Sequence, residues 1–108
     1  MRHSNIFAYN ELSKFAENLS LSINSVKSDL IAQHAYFRVI PASMFSEDLA
    51  PRWESICERV KRSGPAVDED NHIITNEVKN TILHMSDQEC YDLTDQILSL
   101  RNKVAAEF

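Results

Sequence analysis

At 108 residues the chain has the commonest length of a single domain and is too short for two independent cores. Its 44% hydrophobic and 25% charged residues are ordinary globular values that exclude a disordered tract, and one glycine with three prolines excludes the many tight turns of an all-β sandwich or barrel. A formal charge of −5 argues against a non-specific nucleic-acid binder, whose basic face releases counterions, and no run of about 18 apolar residues offers a membrane span.

Met1-Arg2-His3-Ser4 leads into Asn5, Asn10 and Glu11 rather than into an apolar signal core, so a cytoplasmic protein is expected. From there Leu12, Ala16, Leu19, Ile23, Val26, Leu30 and Phe37 recur at three-four spacing, which reads as one amphipathic helix over 11–38 with Asn10 as its N-cap. The weak stretch is Asn18–Ser25, where serines and asparagine alternate with Leu19, Leu21 and Ile23, a pattern that also suits a strand, a kink or a helix break before Ser28. Pro41 stops this segment, because it biases Ile40 to an extended conformation and has no amide hydrogen to donate.

A second helix is expected from Pro51, with Trp53, Ile56, Cys57 and Val60 on its apolar side and Gly64-Pro65 ending it. Ala66-Val67 and His72-Ile73-Ile74 flank the polar turn Asp68-Glu69-Asp70-Asn71, which allows a small β-hairpin near 66–74. Thr75 or Asn76 then caps a third helix bearing Val78, Ile82, Leu83 and Met85. Ser86 followed by Glu89 has the spacing of a capping box, the firmest boundary in the chain, and opens a last helix over about 87–106 with Cys90, Leu93, Ile97, Leu100 and Val104 in one stripe. The expectation is a single all-α domain over 1–108, with about four helices in an up-and-down bundle-like arrangement whose first and last helices are long. Cys57 and Cys90 both fall on apolar stripes and read as buried thiols of a reducing compartment.

The search for chemistry returns little. Asp68, Glu69, Asp70 and His72 resemble a cation-binding loop only in composition: the sixth position is Ile73 rather than glycine and the twelfth is Lys79 rather than a carboxylate. The four histidines make no three- or four-residue pair, neither cysteine has a close neighbour of its kind, and one glycine rules out a phosphate-cradling loop, so no metal, cofactor or catalytic residue is assigned. Glu54 with Glu58 and Asp92 with Asp95 are helix-face carboxylate pairs that suit magnesium, but Glu58 with Arg62 four residues on, and acids early with bases late in the last helix, are ordinary helix electrostatics.

The long apolar stripes therefore carry the functional expectation. It is a non-catalytic protein-protein interaction module, such as an accessory regulator, an immunity-type inhibitor or an adaptor, acting through helix faces on an unidentified protein partner or as a homodimer. The acidic and aromatic residues Asp68, Glu69, Asp70, Tyr91, Asp92 and Asp95 are the candidates for meeting a basic protein surface, with Tyr36 and Trp53 as further aromatic candidates, Trp53 being expected in the core before an interface. The alternative is a nucleic-acid-binding regulator using Arg52, Arg59, Lys61 and Arg62, although Glu54 and Glu58 interrupt that basic run; a metal-dependent enzyme ranks third.

Overall fold

The computed structural model describes residues 4–108, with side chains from residue 6 onward. Among the described residues there are six α-helices: α1 (Ser4–Glu17), α2 (Val26–Ala32), α3 (Tyr36–Val39), α4 (Ala50–Arg59), α5 (Glu77–His84) and α6 (Asp87–Ala105). A 3₁₀ turn spans Ala42–Met44, and a two-stranded antiparallel sheet pairs β1 (Ala66–Val67) with β2 (Ile73–Thr75). The molecule is mainly helical and elongated, 49 × 29 × 18 Å along its principal axes.

The expected helix over 11–38 is three pieces. Helix α1 begins at Ser4, so Asn10 lies inside it rather than capping it, and the chain leaves the helix after Glu17. The Asn18 side chain competes for the backbone there, its Nδ2 donating to the Lys14 carbonyl at 2.9 Å, and the serines that follow bond one another and Asp29. The Ser20 hydroxyl donates to Asp29 Oδ2 at 3.0 Å and bonds the Ser25 hydroxyl at 3.0 Å, and the amides of Ser25 and Val26 both turn back to the Ser22 carbonyl. Leu19 and Val26 still reach the core, but Ile23, which the periodicity placed among them, is 43% exposed. A second turn at Gln33–Ala35 separates α2 from α3. Ile40, at φ −100° and ψ 102°, has the extended conformation that Pro41 demands.

Helix α4 starts one residue before Pro51 and buries Trp53 and Ile56, with Val60 buried at its C-cap, whereas Cys57, expected on the same side, is only half-buried. It ends sooner than Gly64: the Lys61 amide bonds the Glu58 carbonyl three residues back, tightening the last turn, and Gly64 instead takes the left-handed conformation (φ 66°) that leads into the hairpin. Asn76 caps α5 by accepting the Lys79 amide at 2.8 Å, and its Nδ2 also bonds His34 Nε2 at 3.2 Å. With the ring proton on Nδ1, His34 donates to the Ile31 carbonyl at 2.8 Å and accepts from Asn76, joining the end of α2 to the foot of the hairpin. Val78, Ile82 and Met85 are buried, whereas Leu83 lies on the solvent side of α5.

The capping box at Ser86 is complete. Its hydroxyl accepts the Glu89 amide at 3.1 Å, and the Glu89 carboxylate accepts the Ser86 amide at 3.2 Å. Cys90, Leu93, Ile97, Leu100 and Val104 of α6 are all buried and form the spine on which α1, α2 and α4 pack. Trp53 fills the centre between the stacked rings of Phe37 and Phe45, and Phe15 meets Phe37 edge-on while stacking on Tyr36.

Candidate functional site

Two surfaces of this fold combine chemistry with access: the hairpin, and the seam between α4 and α6. The hairpin exists because its loop is internally wired. Asp68 Oδ1 accepts both the Asp70 and His72 amides at 2.9 Å, the side chain acting as an extra turn of backbone, and Asn71 takes a left-handed φ of 63°, which asparagine tolerates better than other non-glycine residues. Val67 pairs with Ile73 and Ala66 with Thr75, so Ile74 has no residue opposite and the ladder is irregular at that point. Neither strand carries a buried residue. Val67, Ile73 and Ile74 are 47%, 66% and 67% exposed, three branched apolar side chains with water where a partner surface normally lies. Asp68, Glu69 and Asp70 sit at the tip, also exposed.

Asp68, Asp70 and His72 each bring a possible ligand atom within 4.8 Å of the others. Both oxygens of Asp68 are already engaged, Oδ1 by two amides and Oδ2 by His72 Nδ1 at 3.3 Å, and all three residues are exposed. The cluster is therefore accounted for by the loop's own hydrogen bonding, and a cation there would compete with the turn that holds the residues in place.

Across the α4–α6 seam, Arg62 Nη2 pairs with Glu89 Oε2 and Arg59 Nη1 donates to Gln96 Oε1 at 3.1 Å. The Glu89 carboxyl is held below its ordinary range, first by the Arg62 hydrogen bond and then by the Ser86 amide. Ascending positions from α4 into the turn after it thus meet descending ones on α6, and the two helices run antiparallel. Beyond Arg59 they part into a groove of about 410 Å³ lined by Pro51, Arg52, Ser55 and Ile56 from one side and Asp95, Gln96, Ser99, Leu100 and Lys103 from the other. A smaller cleft of about 290 Å³ at the C-terminal end of α6 is lined by Ile6, Tyr9, Ala105 and Phe108, with the Tyr9 and Phe108 rings edge-to-face at 5.3 Å.

The residues singled out in the sequence scatter over these surfaces. Asp68, Glu69 and Asp70 share the hairpin tip; Asp95 faces the groove; Asp92 accepts from Gln88 on its own helix at 3.0 Å; and Tyr91 is half-buried against the core. Trp53 is 1% exposed and its Nε1 donates to the Ile40 carbonyl at 2.7 Å, while Tyr36 stacks on Phe15, so both are engaged in internal packing. The basic run does not form one free face, since Arg59 and Arg62 are bonded to α6, and Arg62 pairs with Glu89 rather than with Glu58. Cys90 is buried, but Cys57 is only half-buried, with its thiol donating weakly to the Phe37 carbonyl at 3.7 Å; burial pushes it up to about 11, against a smaller opposing pull from Lys61. Val67, Ile73 and Ile74 were readable as strand but not as surface, because a two-sided exposed hairpin and a half-buried one share the same short apolar run. Ser55, Ser99 and Lys103 carried no signal at all, as their meeting depends on how α4 and α6 dock.

No family model matches the chain, and neither a curated protein nor a solved structure is significantly similar to it. Among the described residues, no helix is long and apolar enough to cross a membrane.

Proposed function

We propose that this chain is a protein-interaction module of the accessory-regulator, inhibitor or adaptor type, and that its principal contact surface is the β1–β2 hairpin rather than a helix face. The observation that supports this reading is the pairing of exposed Val67, Ile73 and Ile74 with the acidic tip Asp68–Asp70. Apolar side chains supply affinity when a partner removes them from water, and a cluster of one charge sign speeds encounter with a surface of the other sign. The partner is accordingly a folded protein with an apolar depression rimmed by lysine or arginine. Short strands and the irregular register at Ile74 make edge-to-edge pairing with another strand a poor alternative.

The test is affinity capture of the tagged full chain from its native lysate, with nuclease treatment, beside the Ile73→Asp/Ile74→Asp double variant. Both positions lie outside the core, so the variant folds, which circular dichroism checks. A stoichiometric protein retained by the parent and weakened by roughly 30-fold or more in the variant supports the hairpin, as anchors worth about 2 kcal/mol behave at interfaces. Recovery that is indifferent to the double substitution, or that vanishes with nuclease, overturns it.

A further inference from the structure

We infer that the groove between α4 and α6 is a binding site for a small organic anion, a phosphate or carboxylate head on an apolar body. The seam is fastened at one end by Arg62–Glu89 and Arg59–Gln96 and open at the other. At the open end Arg52 and Lys103 come from different helices to line the same cavity, and among the described residues neither side chain has an ion pair or a hydrogen bond. Two like charges converging on one concavity repel each other, and an anion between them turns that repulsion into two attractive contacts. The volume, about 410 Å³, falls in the range of small-molecule sites.

The groove has a polarity that narrows the ligand class further. Ile56 and Leu100 make an apolar floor, and Ser55 and Ser99 add hydroxyls that can donate to a phosphate or carboxylate oxygen. Asp95 lies eight residues before Lys103 on α6, roughly 12 Å along the helix axis. The head group therefore belongs at the Arg52–Lys103 end, and a hydroxyl or amine at the far end of the same molecule would find Asp95 and Gln96.

Amide-resolved NMR titration of the full chain tests this with phenyl phosphate, 4-hydroxybenzoate, inorganic phosphate and benzyl alcohol as probes. Saturable shifts of the Ser55, Ile56, Ser99 and Leu100 amides by either aromatic anion, with a dissociation constant on the order of 1 mM or tighter, are expected. The relative affinity of the two anions identifies the head group. Arg52→Gln and Lys103→Gln, both at exposed positions, each weaken binding about fivefold, while Lys61→Gln outside the groove leaves it unchanged. The inference is overturned if neither anion shifts those amides by 10 mM, on the order of ten times the expected constant. Equal binding of the uncharged alcohol refutes the role of the cations, and inorganic phosphate binding as tightly as phenyl phosphate refutes that of the floor.

Discussion

Replacing Trp53 by phenylalanine isolates the polar contact at the centre of the core. The indole is 1% exposed between Phe37 and Phe45, and its Nε1 donates to the Ile40 carbonyl at 2.7 Å, where the chain has left α3 and Pro41 prevents the helix from continuing. Phenylalanine keeps an aromatic ring between its neighbours but leaves that carbonyl without its donor, a loss of about 1–3 kcal/mol for a buried acceptor. The missing second ring leaves a void of about one water's volume, adding about 1 kcal/mol at 24 cal/mol per Å³. The combined loss is roughly 3 kcal/mol out of a total of about 5–15 kcal/mol. With an unfolding entropy of about 2.1 cal/mol/K per residue over 108 residues, the melting temperature falls by about 13 °C. Urea unfolding followed by far-ultraviolet circular dichroism measures it, with an unchanged m-value showing that the denatured state is the same. Because Trp53 is the sole tryptophan, its indole proton gives a single resolved NMR signal, expected to exchange slowly with solvent. A loss below about 1 kcal/mol, or an indole proton that exchanges as freely as an exposed one, would refute the reasoning.

The hairpin should come apart locally without unfolding the domain. Asp68→Ala removes the acceptor of the Asp70 and His72 amides and is expected to raise their hydrogen exchange about tenfold, while global stability moves by under about 0.5 kcal/mol because no strand residue is buried. Cys57 should resist a disulfide reagent at pH 8 in the native state and react quickly in urea. Its folded value of about 11 lies above the ordinary 9.0, so the unfolded thiol ionises first; stability is intact below pH 9 and declines as the pH rises from there towards 11. Thiol titration and denaturation at stepped pH check both expectations, and a native Cys57 that reacts at the unfolded rate would contradict them.

What the residues announced in advance were the features decided within a few positions of one another. Ser86 and Glu89 bond reciprocally across one helical turn, and Asp68 wires a four-residue loop, so both boundaries can be read without knowing the rest of the fold. Asn18–Ser25 showed where the break could fall, but a continuous helix remained the favoured reading because α1 and α2 each present an apolar stripe, and two stripes separated by a polar loop fall into phase with one helix. Asn18, whose side-chain amide donates to the Lys14 carbonyl, is the local sign that the backbone has a competitor. The groove was out of reach for a different reason: Arg59 and Gln96 are 37 residues apart, and no local pattern specifies which helices become neighbours.

The packing of α1 on α6 ties the order of synthesis to the order of folding. Ala8, Leu12 and Phe15 are made before the helix that helps to cover them, which spans residues 87–105. Until α6 has been made the apolar side of α1 lacks its principal partner, and the native core closes only when both helices are available together.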